Sequence, residues 1–281
     1  MSQRFEHGSK GIARALRLHI NWLWGGVMTR SDLSAKQVVR ELKEKGVVCL
    51  ESFFDPSFVE KMRREAAILN PTQPQGNHQV RIYPRTVRDP QFSTLGQALN
   101  DDFCREVALS YDHNCKFFLD AVIEHVKIAE KKITDIHFDL VRSLKFMIYL
   151  SDVDKQSAAF RYCVASHKEN RKLRNRFLIM GGGASDVPNV PGPSEGYVLT
   201  DMEGPRGTLI IFDTEGFHSA GTLQKEQERL LVRSRTRLSS WFDNTILQRA
   251  AKLNPLRACI PLLVPQGRRP TRGRARAQQD M

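Results

Sequence analysis

The chain is poor in several things whose absence is informative. Its 281 residues include five cysteines, Cys49, Cys104, Cys115, Cys163 and Cys259, and no CxxC pair. An odd number of scattered thiols argues against a disulfide framework and predicts isolated, reduced cysteines in a cytoplasmic protein, most of them small core residues. No apolar run reaches the roughly 18 residues a membrane-spanning helix needs. The nearest approach, Ile12 to Met28, is broken by Arg14, Arg17, His19 and Asn21. It is too interrupted for a transmembrane segment, and it lacks the clean apolar stretch and small-residue cleavage site of a secretory signal. No internal repeat is visible. Acidic residues are under-represented: 31 against 43 Lys and Arg, for a net charge of +12.

Part of that excess sits at the C-terminus. Arg268, Arg269, Arg272, Arg274 and Arg276 face a single acid, Asp280. Such a stretch reads as a solvated, disordered end or as a contact for an anionic surface, nucleic acid or membrane. No aromatic residue interleaves with these arginines, so a stacking platform for single strands is not supported. Residues 1–30 are also basic, with Leu16, Ile20, Leu23 and Val27 at helical spacing and Trp22 and Trp24 among them. An amphipathic helix is expected there, packed over the body of the protein or lying on a membrane surface.

With 41% hydrophobic and 26% charged residues, the remainder has ordinary globular composition. Helices are predicted over Ser34 to Lys45, with Ser34 or Asp32 as cap and Gly46 as stop, and over Pro56 to Leu69. Val47 to Phe53 and Val80 to Tyr83 read as strands. Asp101 to Lys131 reads as one long helical stretch, with Phe103, Val107, Phe117, Val122 and Val126 as its apolar positions. Beyond Lys132 the pattern changes to short β segments: Ile133 to Leu140, Ser143 to Leu150, Ala158 to Val164, Gly207 to Phe212 and Arg229 to Leu238. Segments of this length divided by turns predict an antiparallel sandwich or barrel. Lys168 to Pro205, with three consecutive glycines and four prolines, reads as a long irregular loop and a natural lid. A short helix and the basic tail are expected after Trp241. The expected domains are a helical N-terminal extension (1–45), a β domain with buttressing helices (46–245) and a C-terminal helix with its tail (246–281).

The chemistry concentrates in His137-Phe138-Asp139. At a strand's end, residues i and i+2 project to one face, so imidazole and carboxylate point together. His218 follows about eighty residues on, just after the strong strand from Gly207 to Asp213. Two histidines and a carboxylate can occupy one face of an octahedral ion and leave the other open, the donor set of non-haem Fe(II) oxygenases. Arg229, eleven residues past His218, can pair bidentately with a dicarboxylic cosubstrate. Arg233, Arg235 and Arg237 share its strand parity.

In these motifs, and in their order, the chain resembles the phytanoyl-CoA dioxygenase family. The likeness runs over roughly residues 44 to 243. It takes in Gly46-Val47-Val48-Cys49-Leu50-Glu51-Ser52-Phe53-Phe54-Asp55-Pro56, the His137-x-Asp139 pair and the stretch from Leu144 to Val153. It continues through Ala159 to Lys168, the strand from Gly207 to Asp213, His218 and Arg229. The resemblance implies a mainly β fold with flanking helices, a double-stranded β-helix of the jelly-roll type. It implies Fe(II) held by His137, Asp139 and His218, and 2-oxoglutarate anchored by Arg229; Lys145, on the strand after the HxD motif, either faces the cofactor pocket or points to solvent. The implied activity is a dioxygenase that consumes O2 and 2-oxoglutarate, hydroxylates a small organic or acyl substrate, and releases succinate and CO2. Related halogenases lack the carboxylate; Asp139 therefore favours hydroxylation.

Two turns depart from the family pattern. Ala158-Ala159 stands where Gly-Pro or Gly-Ala is usual, and Val164-Ala165-Ser166-His167 where Pro-Gly-Ser-His is usual. Lost turn residues predict altered loops there. His167 belongs to that loop and is not assigned to the metal. The competing expectation is a non-catalytic binding protein of the same fold, associated with membrane or nucleic acid through its basic ends.

Overall fold

The computed structural model describes residues 33–69, 78–127, 132–139, 141–179, 198–224 and 227–238. The expected N-terminal amphipathic helix, the helix after Trp241 and the basic tail lie outside these residues. In chain order the elements are α1 (Ala35–Lys45), β1 (Val47–Leu50), α2 (Pro56–Leu69), β2 (His78–Ile82), α3 (Pro84–Val87), α4 (Ser93–Leu99) and α5 (Asp102–Tyr111). There follow β3 (Lys116–Val126), β4 (Lys132–His137), β5 (Leu144–Tyr149), β6 (Phe160–Cys163), α6 (His167–Ile179), β7 (Leu199–Met202), β8 (Leu209–Asp213), β9 (His218–Thr222) and β10 (Arg229–Arg237).

The strands form two antiparallel sheets, ordered β1-β8-β5-β10-β3-β2 and β4-β9-β6-β7. The period-2 alternation of side chains divides the larger sheet's residues between its two faces. Leu144, Phe146, Ile148, Leu209, Ile211, Leu230 and Val232 point outward into a core shared with α1, α2, α4 and α5. Met147, Tyr149, Ile210, Phe212 and Leu231 point inward and meet Phe160, Tyr162 and Met202 of the smaller sheet. The architecture is a double-stranded β-helix with helices on the outer face of its larger sheet. Among the described residues, no helix is long and apolar enough to cross a membrane.

Local chemistry accounts for the boundaries. Val38, Val39 and Leu42 bury one face of α1. Gly46 ends the helix in the left-handed region at φ +82°, its N–H bonded to the Leu42 carbonyl at 2.8 Å. Only glycine serves there, because a Cβ would collide with the Tyr162 hydroxyl and the His167 ring. Ser34 holds the N-cap position, but its side chain makes no capping bond. Cys49, Cys104 and Cys163 are buried and form no disulfide, as their core assignment requires.

Two sequence expectations are corrected. Asp101 to Lys131 is not one helix. Asp101 caps α5 through a 3.2 Å bond from the Cys104 N–H, and the chain then turns at Asp112, which accepts the Asn114 N–H at 3.1 Å. Lys116–Val126 is β3, the strand on which both β2 and β10 pair. Phe103 and Val107 do follow a helical period, but Phe117, Val122, Ile123 and Val126 are β-branched and aromatic residues suited to a half-buried sheet. Nor is Lys168 to Pro205 irregular throughout. It opens in α6 and closes in β7, and only residues 180–197, where the lid expectation now falls, lie outside the described residues. Arg171 and Arg174 of α6 tie it to Glu215 by ion pairs, which leave no local trace in the sequence.

Ala158 and Ala165 lie in the left-handed region, at φ 60° and 66°. These are the positions where the resembled family carries glycine. Alanine there costs roughly 1–2 kcal/mol in conformational strain, partly offset by its smaller entropy loss on folding. Ala158→Gly and Ala165→Gly should each raise the unfolding free energy by about 0.5–1 kcal/mol, measured by urea denaturation. A loss of stability in both would contradict the assigned backbone.

Candidate metal centre

β4 and β9 pair so that His137 stands directly across from His218. The two imidazoles lie with ring centroids 4.3 Å apart. Two residues past His137, Asp139 is fixed by its own N–H, which donates to the Thr214 carbonyl at 2.8 Å. Phe138 turns the other way and packs edge-on against Phe217. The alternation expected of an HxD pair is therefore realised. Asp139 Oδ1 lies 3.7 Å from His137 Nε2 and 4.0 Å from His218 Nε2. The ligating atoms of all three residues fall within 4.8 Å of one another, and they form the one such cluster among the described residues.

The site is prepared for a cation. His218 is buried, and its Nδ1 lies 2.8 Å from the Gly216 carbonyl. Nδ1–H must donate there, which leaves the Nε2 lone pair facing Asp139. Burial holds its pKa down to about 3, so the ring is neutral at ordinary pH. Burial disfavours the Asp139 carboxylate, but the neighbouring Lys145 ammonium, which also hydrogen-bonds it, outweighs burial and keeps its pKa below the usual range. Two imidazoles and one carboxylate, with no thiolate, suit a divalent first-row metal.

Lys145 projects from the inner face of β5, on the same parity as Met147 and Tyr149. Its Nζ bonds Asp139 Oδ2 at 2.7 Å and sits over the Phe212 ring, 5.9 Å from the centroid. Its immediate partner is thus the candidate ligand itself. With Oδ2 engaged, Asp139 presents Oδ1 to the two histidines.

Arg229 opens β10 and is 1% exposed. Its Nη1 donates to the Ala158 carbonyl at 2.9 Å, and its Nη2 pairs with Glu124 of β3. Nε is buried without a hydrogen-bond partner. An orphaned guanidinium donor in the interior is a place for an acceptor to enter. Glu124 also takes an N–H from Gln79 at 2.9 Å. Sequence reasoning missed Glu124 because it placed that residue in a helix; on a strand, its parity with Val122 and Val126 would have turned it inward.

A second group of residues that the sequence reading passed over holds the turn before His218. Asp213 and Glu215 are both fully buried. Asp213 Oδ2 accepts from the Tyr111 hydroxyl at 2.7 Å, and its carbonyl accepts from the Tyr162 hydroxyl at 2.9 Å. Glu215 pairs with Arg142 at 3.1 Å, Arg171 at 2.9 Å and Arg174 at 2.7 Å. The Phe217 N–H donates to Ser166 Oγ at 2.9 Å. His167, by contrast, is turned toward the Lys43 carbonyl at 3.3 Å, at the end of α1.

No family model matches the chain, and no curated protein matches it in sequence. Solved structures do match. The non-haem α-ketoglutarate-dependent carbocyclase SnoK from nogalamycin biosynthesis aligns with a TM-score of 0.56 at 18% identity, over 80% of this chain and 93% of that one. The epimerase SnoN from the same biosynthesis aligns with a TM-score of 0.56 at 13% identity, over 73% and 84%. HygX from Streptomyces hygroscopicus, solved with nickel and 2-oxoglutarate bound, aligns with a TM-score of 0.54 at 18% identity, over 74% and 88%. At these identities the likeness establishes the shared double-stranded β-helix.

Proposed function

We propose that the chain is an Fe(II)- and 2-oxoglutarate-dependent dioxygenase of the phytanoyl-CoA dioxygenase type, hydroxylating an unactivated C–H of a small organic or acyl substrate. The observation that carries this reading is the convergence of His137, Asp139 and His218 at one end of a double-stranded β-helix, with every ligating atom within 4.8 Å. Their donor chemistry fits Fe(II), and HygX and SnoN, which share the fold, have been solved with a metal and the 2-oxoacid.

In this reading His137 Nε2, His218 Nε2 and Asp139 Oδ1 hold the metal. When bound, Fe(II) supplies the redox chemistry that couples conversion of 2-oxoglutarate and O2 into succinate and CO2 to oxidation of the substrate. The chain's own residues do the positioning. The Gly216 carbonyl fixes the His218 tautomer, and Lys145 keeps Asp139 to one free oxygen. Phe212 and Phe160, with ring centroids 5.3 and 6.0 Å from His218, keep water from its flank. Arg229 anchors the distal carboxylate of the 2-oxoacid, using the unpartnered Nε and yielding part of its hold on Glu124. Asp139 makes hydroxylation the favoured outcome over halogenation.

A second reading, a non-catalytic binding protein of this fold, draws on a specific observation. Asp139 and Arg229 already have charged partners in Lys145 and Glu124. Oxygen consumption separates the two readings. The oxygenase reading expects slow succinate formation that requires both Fe(II) and 2-oxoglutarate, accelerates with a true substrate, and disappears in Asp139→Ala. Absence of any Fe(II)-dependent succinate across a broad substrate panel would favour the binding protein.

A further inference from the structure

Glu124 stands midway between two arginines on the inner face of the larger sheet. On β10 it is paired with Leu231, which lies in the core between the sheets. Arg229 and Arg233 sit two residues to either side of Leu231, on the same face. Such diagonal positions of an antiparallel pair are within reach of long side chains. Glu124 is 6% exposed, and both of its oxygens are engaged. Oε1 pairs with Arg229 Nη2. Oε2 accepts from the Gln79 side-chain amide at 2.9 Å and lies 3.7 Å from Arg233 Nη2. Gln79 is in place because it is the β2 partner of Glu124 in the ladder.

The Nε–H of an arginine and one N–H of Nη2 lie along one edge of the guanidinium, and that edge takes a carboxylate bidentately. On Arg229, Glu124 occupies the Nη2 half of the edge, and Nε is buried without a hydrogen-bond partner. Nη1 is committed to the Ala158 carbonyl at 2.9 Å. An incoming carboxylate can therefore take the whole edge only if Glu124 leaves Nη2. Two carboxylates crowded on one buried guanidinium repel each other. Glu124 has a place to go. Gln79 and Arg233 already attend its other oxygen, so leaving Arg229 does not strand a buried charge.

We infer that Glu124 is a placeholder carboxylate: it closes Arg229 in the cosubstrate-free protein and shifts onto Arg233 when the distal carboxylate of the 2-oxoacid enters. The inference rests on the oxygenase reading. It makes Glu124 a positioning residue that sets both the affinity and the selectivity for the cosubstrate. A 2-oxoacid with a second carboxylate can displace Glu124 from Arg229. One that ends in an alkyl group leaves it where it is.

The test compares 2-oxoglutarate with 2-oxopentanoate, which has the same chelating end and chain length but a methyl group in place of the distal carboxylate. Each would be titrated calorimetrically into the Mn(II)-loaded full-length protein, as wild type, Glu124→Gln, Arg233→Gln and the double variant. Glu124→Gln keeps the shape and removes the charge. It should raise 2-oxoglutarate affinity about tenfold and change that for 2-oxopentanoate by less than about twofold. A purely structural role would move both acids together or neither. Arg233→Gln should weaken 2-oxoglutarate binding about fivefold in the wild-type background. It should have no effect once Glu124→Gln is present, because Arg233 acts through Glu124. The Arg233 side chain is 27% exposed, so this variant keeps its fold and carries the test even if Glu124→Gln does not fold. Four results would overturn the placeholder and leave the oxygenase reading standing. They are unchanged or weaker 2-oxoglutarate binding in Glu124→Gln, an equal change for both acids, unchanged 2-oxoglutarate binding in Arg233→Gln, and an equal effect of Arg233→Gln in both backgrounds. If neither wild type nor Glu124→Gln binds 2-oxoglutarate at all, the oxygenase reading fails and the placeholder fails with it.

Discussion

His218→Ala should abolish tight metal binding, lowering affinity for Mn(II) or Fe(II) by more than about 100-fold. Loss of a group that merely supports a ligand typically costs 10–100-fold, and His218 is proposed as a ligand itself. Its Nε2 faces Asp139, and its Nδ1 is committed to Gly216, so no other atom of the ring can take over. Anaerobic calorimetry on the metal-free protein would read the change directly. The variant should keep its fold, because the sheets are held by cores to which the imidazole adds little. An unchanged metal affinity in a folded variant would remove His218 from the site.

Glu215→Ala should be the most destabilising single change at the site, by roughly 3–5 kcal/mol. That is the usual consequence of removing one partner from a buried ion pair. Glu215 is wholly buried and holds three guanidinium groups, of which Arg174 is itself 6% exposed. Removal would take from the buried Arg174 its 2.7 Å partner and from Arg142 a 3.1 Å one, leaving the Arg142 pairing with Asp213 at 3.8 Å. Urea unfolding with an unchanged slope would read this as a shift in midpoint. A second readout follows from position. Glu215 lies in the turn that delivers His218, so metal affinity of the surviving folded protein should also fall, by about 10–100-fold. A variant with wild-type stability would mean that the three arginines are solvated and that the turn is held by its backbone bonds alone.

What was legible in the sequence was whatever depended on short range. His137 and Asp139 could be read together because two residues along a strand restore the same face. Arg229 was reachable by its distance from His218, and Gly46 by its place after an amphipathic helix. What escaped depends on pairing between distant segments. Glu124 meets Arg229 only because β3 pairs with β10, and Gln79 reaches Glu124 only because β2 adds to β3. Neither partner leaves a local trace. The helical period of Phe103 and Val107 carried the reading past a turn at Asp112 into what is β3. At Ala158 and Ala165, where the missing glycines predict altered turns, the structure holds alanine in the left-handed conformation. The Asp213–Glu215 network was invisible for a further reason. Its arginines come from the segment after Asp139 and from α6, and no spacing rule connects them to the turn before His218.

The central claim is that His137, Asp139 and His218 jointly hold one iron ion beside a bound 2-oxoacid. Its most direct test is a crystal structure of the full chain loaded with Fe(II) and 2-oxoglutarate without oxygen. The expected result is a single iron bonded to His137 Nε2, His218 Nε2 and one Asp139 oxygen, with the cosubstrate reaching Arg229. Iron bound elsewhere, or His218 turned away from the HxD pair in the loaded protein, would contradict it.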